Sequence, residues 1–251
     1  MTEEILERLS KIEADKGIRI LYACESGSRG WGFHSPDSDF DVRFIYVRPQ
    51  DWYVSIHNRS DFLDFAINDE LDFKAWDIRK VLGLIFKSNA SPLEWLQSPT
   101  IYRDTPDFRA ELMPLVHQYF NPRHTANHYL GICQNSLKAG IVGDEFKLKK
   151  YFYVLRPLLA AKWVVDKRTV PPMEFAPLLE NVEDAAFLQA VQELMEVKKD
   201  ASEGAVVARV PVIDGYVEKE LARCRELVAT IAVVEKDSGN LDRYFREIIG
   251  L

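Results

Sequence analysis

Basic charge is in short supply in this chain: 32 Lys and Arg stand against 39 Asp and Glu, a net charge of −7. A protein that tracks a nucleic-acid backbone by bulk electrostatics needs a cationic surplus, so any contact with a polyanion must be local. Cysteine is scarcer still. Cys24, Cys133 and Cys224 are odd in number and far apart, which excludes a readable disulfide framework or Cys-based zinc site and fits a reducing compartment. Long apolar runs are also lacking. No stretch reads as a membrane span, and "MTEEILERLSKIEADKG" predicts an acidic amphipathic helix rather than a secretory leader. The expected setting is cytoplasmic, with no membrane partner, where the sequons at Asn58 and Asn89 carry no glycan.

What is present is core material. With 251 residues and 47% hydrophobic content, the chain can bury one large core or two smaller ones. After the opening helix, with Ile5, Leu6, Leu9 and Ile12 at helical spacing, "IRILYACES" predicts a strand ending at Ser26 and Gly27. A Gly-rich turn follows, then the strand "DFDVRFIYV". Alternation along that strand sets Asp39, Asp41 and Arg43 on one face and Phe40, Val42 and Phe44 on the other. Residues 51–70 predict one or two short strands with a turn around Asn58 to Ser60, and "ELDFKAWD" a further strand. Ile78, Val81, Leu82 and Ile85 then form a helical stripe, with Asp77 suited to the N-cap. From about residue 92 onward the apolar period is helical, broken near Pro171-Pro172 and Gly204. The expected class is α/β (α+β), with a catalytic domain over 1–105 and a helical domain over 106–251.

Two aspartates on one strand face, a third acid on a neighbouring strand and a Gly-Ser turn nearby suit two-metal phosphoryl chemistry. Mg²⁺ favours carboxylate oxygens and leaves positions open for phosphate. Two such ions about 4 Å apart stabilise the attacking and leaving oxygens of an in-line displacement. In the turn, small residues let backbone N–H groups approach a phosphate, and a Ser hydroxyl adds a donor.

The order Gly27-Ser28, then Ser38-Asp39-Phe40-Asp41-Val42, then an acid on a later strand resembles the DNA-polymerase-β-like nucleotidyltransferase superfamily. More narrowly, "ESGSRGWGFHSPDSDFDVRFIY", "LDFKAWDIRKVLGLIFKSNASPLEWLQSPTIY" and "KKYFYVLRPLLAAKW" are similar to the nucleotidyltransferases associated with RNA ligase and RNA repair. The resemblance implies a mixed, twisted sheet backed by helices, followed by a helical domain that closes over the nucleotide. It implies that Asp39 and Asp41 ligate two Mg²⁺ ions, with Mn²⁺ as the alternative metal, and that Gly27 and Ser28, with Ser38 beside the acids, hold the triphosphate. The third carboxylate is Asp72 or Asp77, and Asp72 is favoured because an N-cap role explains Asp77.

The implied reaction moves an NMP from an NTP, ATP foremost, to an acceptor hydroxyl with release of pyrophosphate. An RNA end is the leading acceptor. Transfer to a protein side chain, or a nucleotide-binding regulatory module without turnover, are the alternatives. Arg29 beside the turn is a donor to phosphate, whereas Arg43 is either such a donor or an ion-pair partner of Asp41. Lys150, Tyr153 and Arg156 recur at i, i+3, i+6 on a helix next to the basic run Lys147, Lys149, Lys150, a candidate phosphate or acceptor contact. His124 and His128 stand i, i+4 without a third ligand in register. Trp31, Phe33, Trp52 and Trp76 are either core rings or base-stacking platforms, with Trp31 in "RGWGF" the hardest to bury.

Overall fold

A computed structural model describes residues 1–65, 70–202 and 204–251. Residues 66–69 of the predicted 51–70 strand region, and Glu203 beside the turn at Gly204, lie outside the described residues. The chain forms two compact units. The first comprises Met1–Gly30, Asp39–Phe120 and Glu235–Leu251, and the second Trp31–Ser38 and Asn121–Val234.

The first unit opens with helix α1, Thr2–Lys16, whose Ile5, Leu9 and Ile12 are buried and which stops at a left-handed Gly17. Strand β1, Arg19–Glu25, leads into a single helical turn, α2, Gly27–Trp31, where the sequence predicts a plain turn. Then come β2, Phe40–Val47, and a short helix α3, Gln50–Tyr53. Residues 50–53 are therefore helical rather than extended: Pro49, fixed at φ −56°, is the N-cap, and Asp51 favours the first turn. Next are β3, Phe62–Asp64, and β4, Leu71–Asp77. Helix α4, Ile78–Phe86, buries the predicted stripe Ile78, Val81, Leu82 and Ile85, and the Asp77 carboxylate accepts from Arg79 N–H as its cap. Helix α5, Ala90–Trp95, is capped by Asn89, so that sequon residue is a helix cap here. Strand β5, Ile101–Asp104, lies inside the region whose spacing predicts helices only, and α6, Phe108–Tyr119, follows.

These strands form one sheet in the order β3-β4-β2-β1-β5. The β2–β4 pair is parallel and the other neighbours are antiparallel. Ile20, Ala23, Val42, Phe44, Tyr46, Phe73 and Ala75 pack with the apolar face of α1 as the core under the sheet. That burial anchors β2 and β4 from below and fixes what their other face presents.

In the second unit, α7, Pro122–Gly140, and α8, Leu148–Lys167, are the long helices, joined by β6, Ile141–Val142, and β7, Glu145–Lys147. Gly140 is required there, because a Cβ would stand 2.1 Å from Phe146 Cζ. Helices α9, Phe175–Leu179, and α10, Ala185–Asp200, precede β8, Val206–Ala208, and α11, Pro211–Thr230. The antiparallel β6-β7-β8 sheet corrects the expectation of helix alone; its strands are two or three residues long, too short to display a period. The chain then returns to the first unit with α12, Gly239–Ile249, which packs on α4. The first unit takes in α6 and α12, and the second takes in the 31–38 insert.

Among the described residues no helix is long and apolar enough to cross a membrane. All three cysteines are free and buried.

Candidate active site

The parallel pairing of β2 and β4 sets Asp41 opposite Asp72 in register. Neighbouring parallel strands stand about 4.8 Å apart, so two register partners share one face of the sheet. Between the two carboxylates lies Arg43. Its Nη2 donates to Asp41 Oδ1 at 2.6 Å and to Asp72 Oδ2 at 2.7 Å, and its Nη1 donates to the Asp72 backbone carbonyl at 2.8 Å. Arg43 is thus an ion-pair partner of both acids. Asp72 Oδ1 is buried and has no hydrogen-bond partner. A buried carboxylate oxygen with nothing to accept from costs free energy unless a ligand or reactant uses it.

The Gly-Ser turn reaches the same place. A Cβ on Gly27 would stand 1.8 Å from Asp41 Oδ2, and Gly27 has φ +57°, so only glycine fits against that carboxylate. Ser26 N–H donates to the Asp41 carbonyl at 2.9 Å, and Ser28 is buried in the same turn. Arg29 is held by its Nε donating to the Asp39 carbonyl at 3.2 Å and by its guanidinium lying 3.8 Å from the centre of the Phe40 ring. Asp39 is exposed and precedes the first residue of β2.

Glu25 is an acid that the spacing of aspartates does not reveal. Only 2% exposed at the end of β1, it accepts from Asp41 N–H on Oε1 at 2.8 Å and from the Tyr102 hydroxyl on Oε2. Burial pushes its carboxyl above the ordinary value, opposed by those two hydrogen bonds. The available signal was an acid closing an apolar strand directly before Ser26-Gly27-Ser28.

Asp77 stands at the far end of β4, where one carboxylate oxygen caps α4 through Arg79 N–H at 2.9 Å and the other accepts from the Tyr53 hydroxyl at 2.9 Å. Burial raises its pKa as well. Both oxygens are therefore engaged in structure, and Asp72 is the acid beside Asp41.

In the second unit, Tyr153 packs edge-on against Trp31, with ring centres 5.2 Å apart, and Lys150 Nζ lies 5.2 Å from the Tyr153 ring centre. Arg156 is 2% exposed, and its Nε and Nη2 donate to the Met173 carbonyl at 3.1 and 2.9 Å. Its guanidinium also stands 5.0 Å from the Trp31 ring centre. The tertiary partners of Trp31 are thus Tyr153 and Arg156 of α8, together with Phe33. Ser38 Oγ accepts from Ser35 N–H at 3.0 Å, and buried Lys198 donates to Ser35 Oγ at 2.8 Å, pinning the 31–38 insert. Trp76 stacks on Trp95 at 4.0 Å, and the Trp52 ring lies between the Arg48 and Arg59 guanidinia at 3.9 and 4.2 Å.

The donor set fits a hard cation at one place. Asp41 and Asp72 face each other in register, and Asp72 Oδ1 is the unsatisfied buried oxygen that such an ion would coordinate. Among the described residues no three His, Cys, Asp or Glu side chains form a metal-holding group.

Acids in register on two parallel strands, with a glycine turn closed against one of them, define a nucleotidyltransferase-like protein of the polymerase β class. The chain belongs to the RNA repair pathway DNA polymerase beta family, whose sequence model matches residues 1–247. It is 40% identical over 238 residues to the uncharacterized protein YcgL of Bacillus subtilis (strain 168), covering 94% of this chain and 92% of that one. A crystal structure of a nucleotidyltransferase-like protein from Exiguobacterium sibiricum 255-15 matches with a TM-score of 0.31 and 10% identity, over 90% of this chain and 75% of the other.

Proposed function

We propose that the chain transfers a nucleoside monophosphate from an NTP, ATP foremost, to a hydroxyl at an RNA end. The observation that carries this reading is Asp72 Oδ1, a buried carboxylate oxygen without a partner, on the acid in register with Asp41. A divalent cation held by Asp41 and Asp72, Mg²⁺ or Mn²⁺, neutralises charge on the triphosphate and lowers the pKa of the acceptor hydroxyl when bound. Asp39, the other acid of the D-x-D pattern, is the candidate for a second ion, and that role rests on the sequence pattern alone.

The chain's own groups do the positioning. Arg43 holds both carboxylates in one orientation, and Glu25 fixes the Asp41 backbone from beneath. Gly27 leaves room for the turn to close on Asp41, and the Ser28 hydroxyl and the Arg29 guanidinium serve as donors to the phosphates. Asp72 Oδ1, as a ligand of the divalent cation, would hold it beside the attacking hydroxyl, whose proton leaves to solvent. Preorganised charge and orientation of this kind carry most of the barrier reduction in nucleotidyl transfer. Within the second unit, the hydrogen bonds of Arg156 to the Met173 carbonyl support a holding role for that residue.

The RNA acceptor is supported by the family's description as part of RNA repair. The test incubates the protein with each α-labelled NTP and Mg²⁺, with RNA or protein pools. Label should enter RNA, and Asp39→Asn and Asp41→Asn should abolish it. Label entering protein alone points to side-chain nucleotidylation, while tight NTP binding with no labelling in any pool returns the regulatory-module reading.

A further inference from the structure

The second unit contains a cavity of about 640 Å³ between α7 and α11, which the chemistry above does not use. Its size falls within the range of small-molecule sites, and it combines an apolar floor with a few polar groups at the edge. Leu137, Val217 and Leu221 make the floor. Lys138, Arg209 and Arg225 bring three cations to the wall, against Asp214 and Glu218.

The charges are not equivalent. Arg209 Nε is matched by Asp214 Oδ2 at 2.8 Å, and Asp214 Oδ1 accepts from the Tyr151 hydroxyl at 3.3 Å, so this pair closes one end as structure. That leaves Lys138 and Arg225, both exposed, with Glu218 as the acid beside them. The Gln134 carboxamide lies against the Arg225 guanidinium and faces the same cavity. In a chain of net charge −7, this is a local cationic rim over an apolar floor.

We infer that this cavity binds the phosphorylated end of an RNA strand, a terminal phosphate on Lys138 and Arg225 with the adjoining base on the Leu137, Val217 and Leu221 floor. The inference rests on the RNA-end reading of the acceptor. Two cations suit one terminal phosphate, which carries a charge of about −1.5 to −2 near neutral pH. A tracked backbone would need many more. Arg225, turned on the Gln134 side-chain oxygen through Nε and Nη2, keeps its charge and its remaining N–H groups for the phosphate, and the Gln134 NH₂ can donate to a base edge.

The test is fluorescence anisotropy with a 3′-labelled hexaadenylate carrying either a 5′-phosphate or a 5′-hydroxyl, with AMP as competitor. The phosphorylated strand should bind wild type at least about tenfold more tightly than the hydroxyl strand, and Lys138→Glu with Arg225→Glu should remove that difference. Glu218→Gln should tighten binding, since it removes the opposing acid. Asp41→Asn should bind as wild type does, so loss of transfer and loss of this site are read separately. AMP, which carries the same terminal phosphate and adjoining base, should compete; equal binding of the two strands, unchanged affinity in the double variant, failure of AMP to compete, or no binding to wild type each overturns the inference.

Discussion

Asp41 and Asp72, on adjacent parallel strands, are tied to one guanidinium: Arg43 Nη2 stands 2.6 Å from Asp41 Oδ1 and 2.7 Å from Asp72 Oδ2. All three side chains are largely shielded, with 13% of the Arg43 side chain exposed against 23% and 11% for the acids. Removing the cation leaves two carboxylates facing each other with little solvent to separate them. Arg43→Ala should therefore cost about 2–4 kcal/mol in urea unfolding. Arg43→Lys should recover only part of this, because an ammonium cannot span both acids and the Asp72 carbonyl as the planar fork does. Equal stability of the Ala variant and wild type would contradict this role.

Gly27 offers a sharper steric test. Gly27→Ala places a Cβ 1.8 Å from Asp41 Oδ2 at a backbone φ of +57°, so the carboxylate must move or the turn must open. The variant should lose nucleotidyl transfer while its far-UV circular dichroism stays native. Full activity in Gly27→Ala would show that the turn and the Asp41 carboxylate do not act together.

Glu25 gives a pH signature. Burial raises its carboxyl above the ordinary value of 4.5, so in the window above that value the folded state holds more protons than the unfolded chain. Stability linked to this group is then greatest on the acid side and falls as pH rises through the raised value. Glu25→Gln cannot ionise, so wild-type stability minus that of the variant should decline with increasing pH above 4.5. A difference that is flat or rises over that window would refute the assignment.

The spacing of apolar residues was enough to find α1, β1, β2, β4 and α4, because each places several large side chains on one buried face. It could not find β5, β6, β7 or β8, which are two to four residues long, and β5 and β8 pair with strands distant in sequence. Much of the site was legible on the same grounds. Asp41 and Arg43 share a strand face by alternation, and Asp77 carries the marks of the N-cap that it forms. What alternation could not supply was register: that Asp41 meets Asp72, rather than a residue two positions along, is a property of the β2–β4 ladder. Nor could it separate the parts of the i, i+3, i+6 set on α8, where Arg156 is buried against Met173 and Tyr153 stays half-exposed beside Trp31.

That difference yields a prediction for α8. Arg156→Lys loses the paired hydrogen bonds to the Met173 carbonyl and should lower the unfolding midpoint clearly, whereas Lys150→Ala should leave it within about 0.5 kcal/mol of wild type. An unchanged midpoint in Arg156→Lys would return Arg156 to the ligand contacts.

The pairing of Asp41 with Asp72 is tested most directly by label transfer from α-labelled ATP to RNA in Asp72→Asn and Asp77→Asn, side by side. Asp77→Asn keeps a side-chain oxygen for the α4 cap and should retain transfer close to wild type. Asp72→Asn should lose it by at least about a thousandfold while remaining folded. Transfer that survives in Asp72→Asn and disappears in Asp77→Asn would contradict the account.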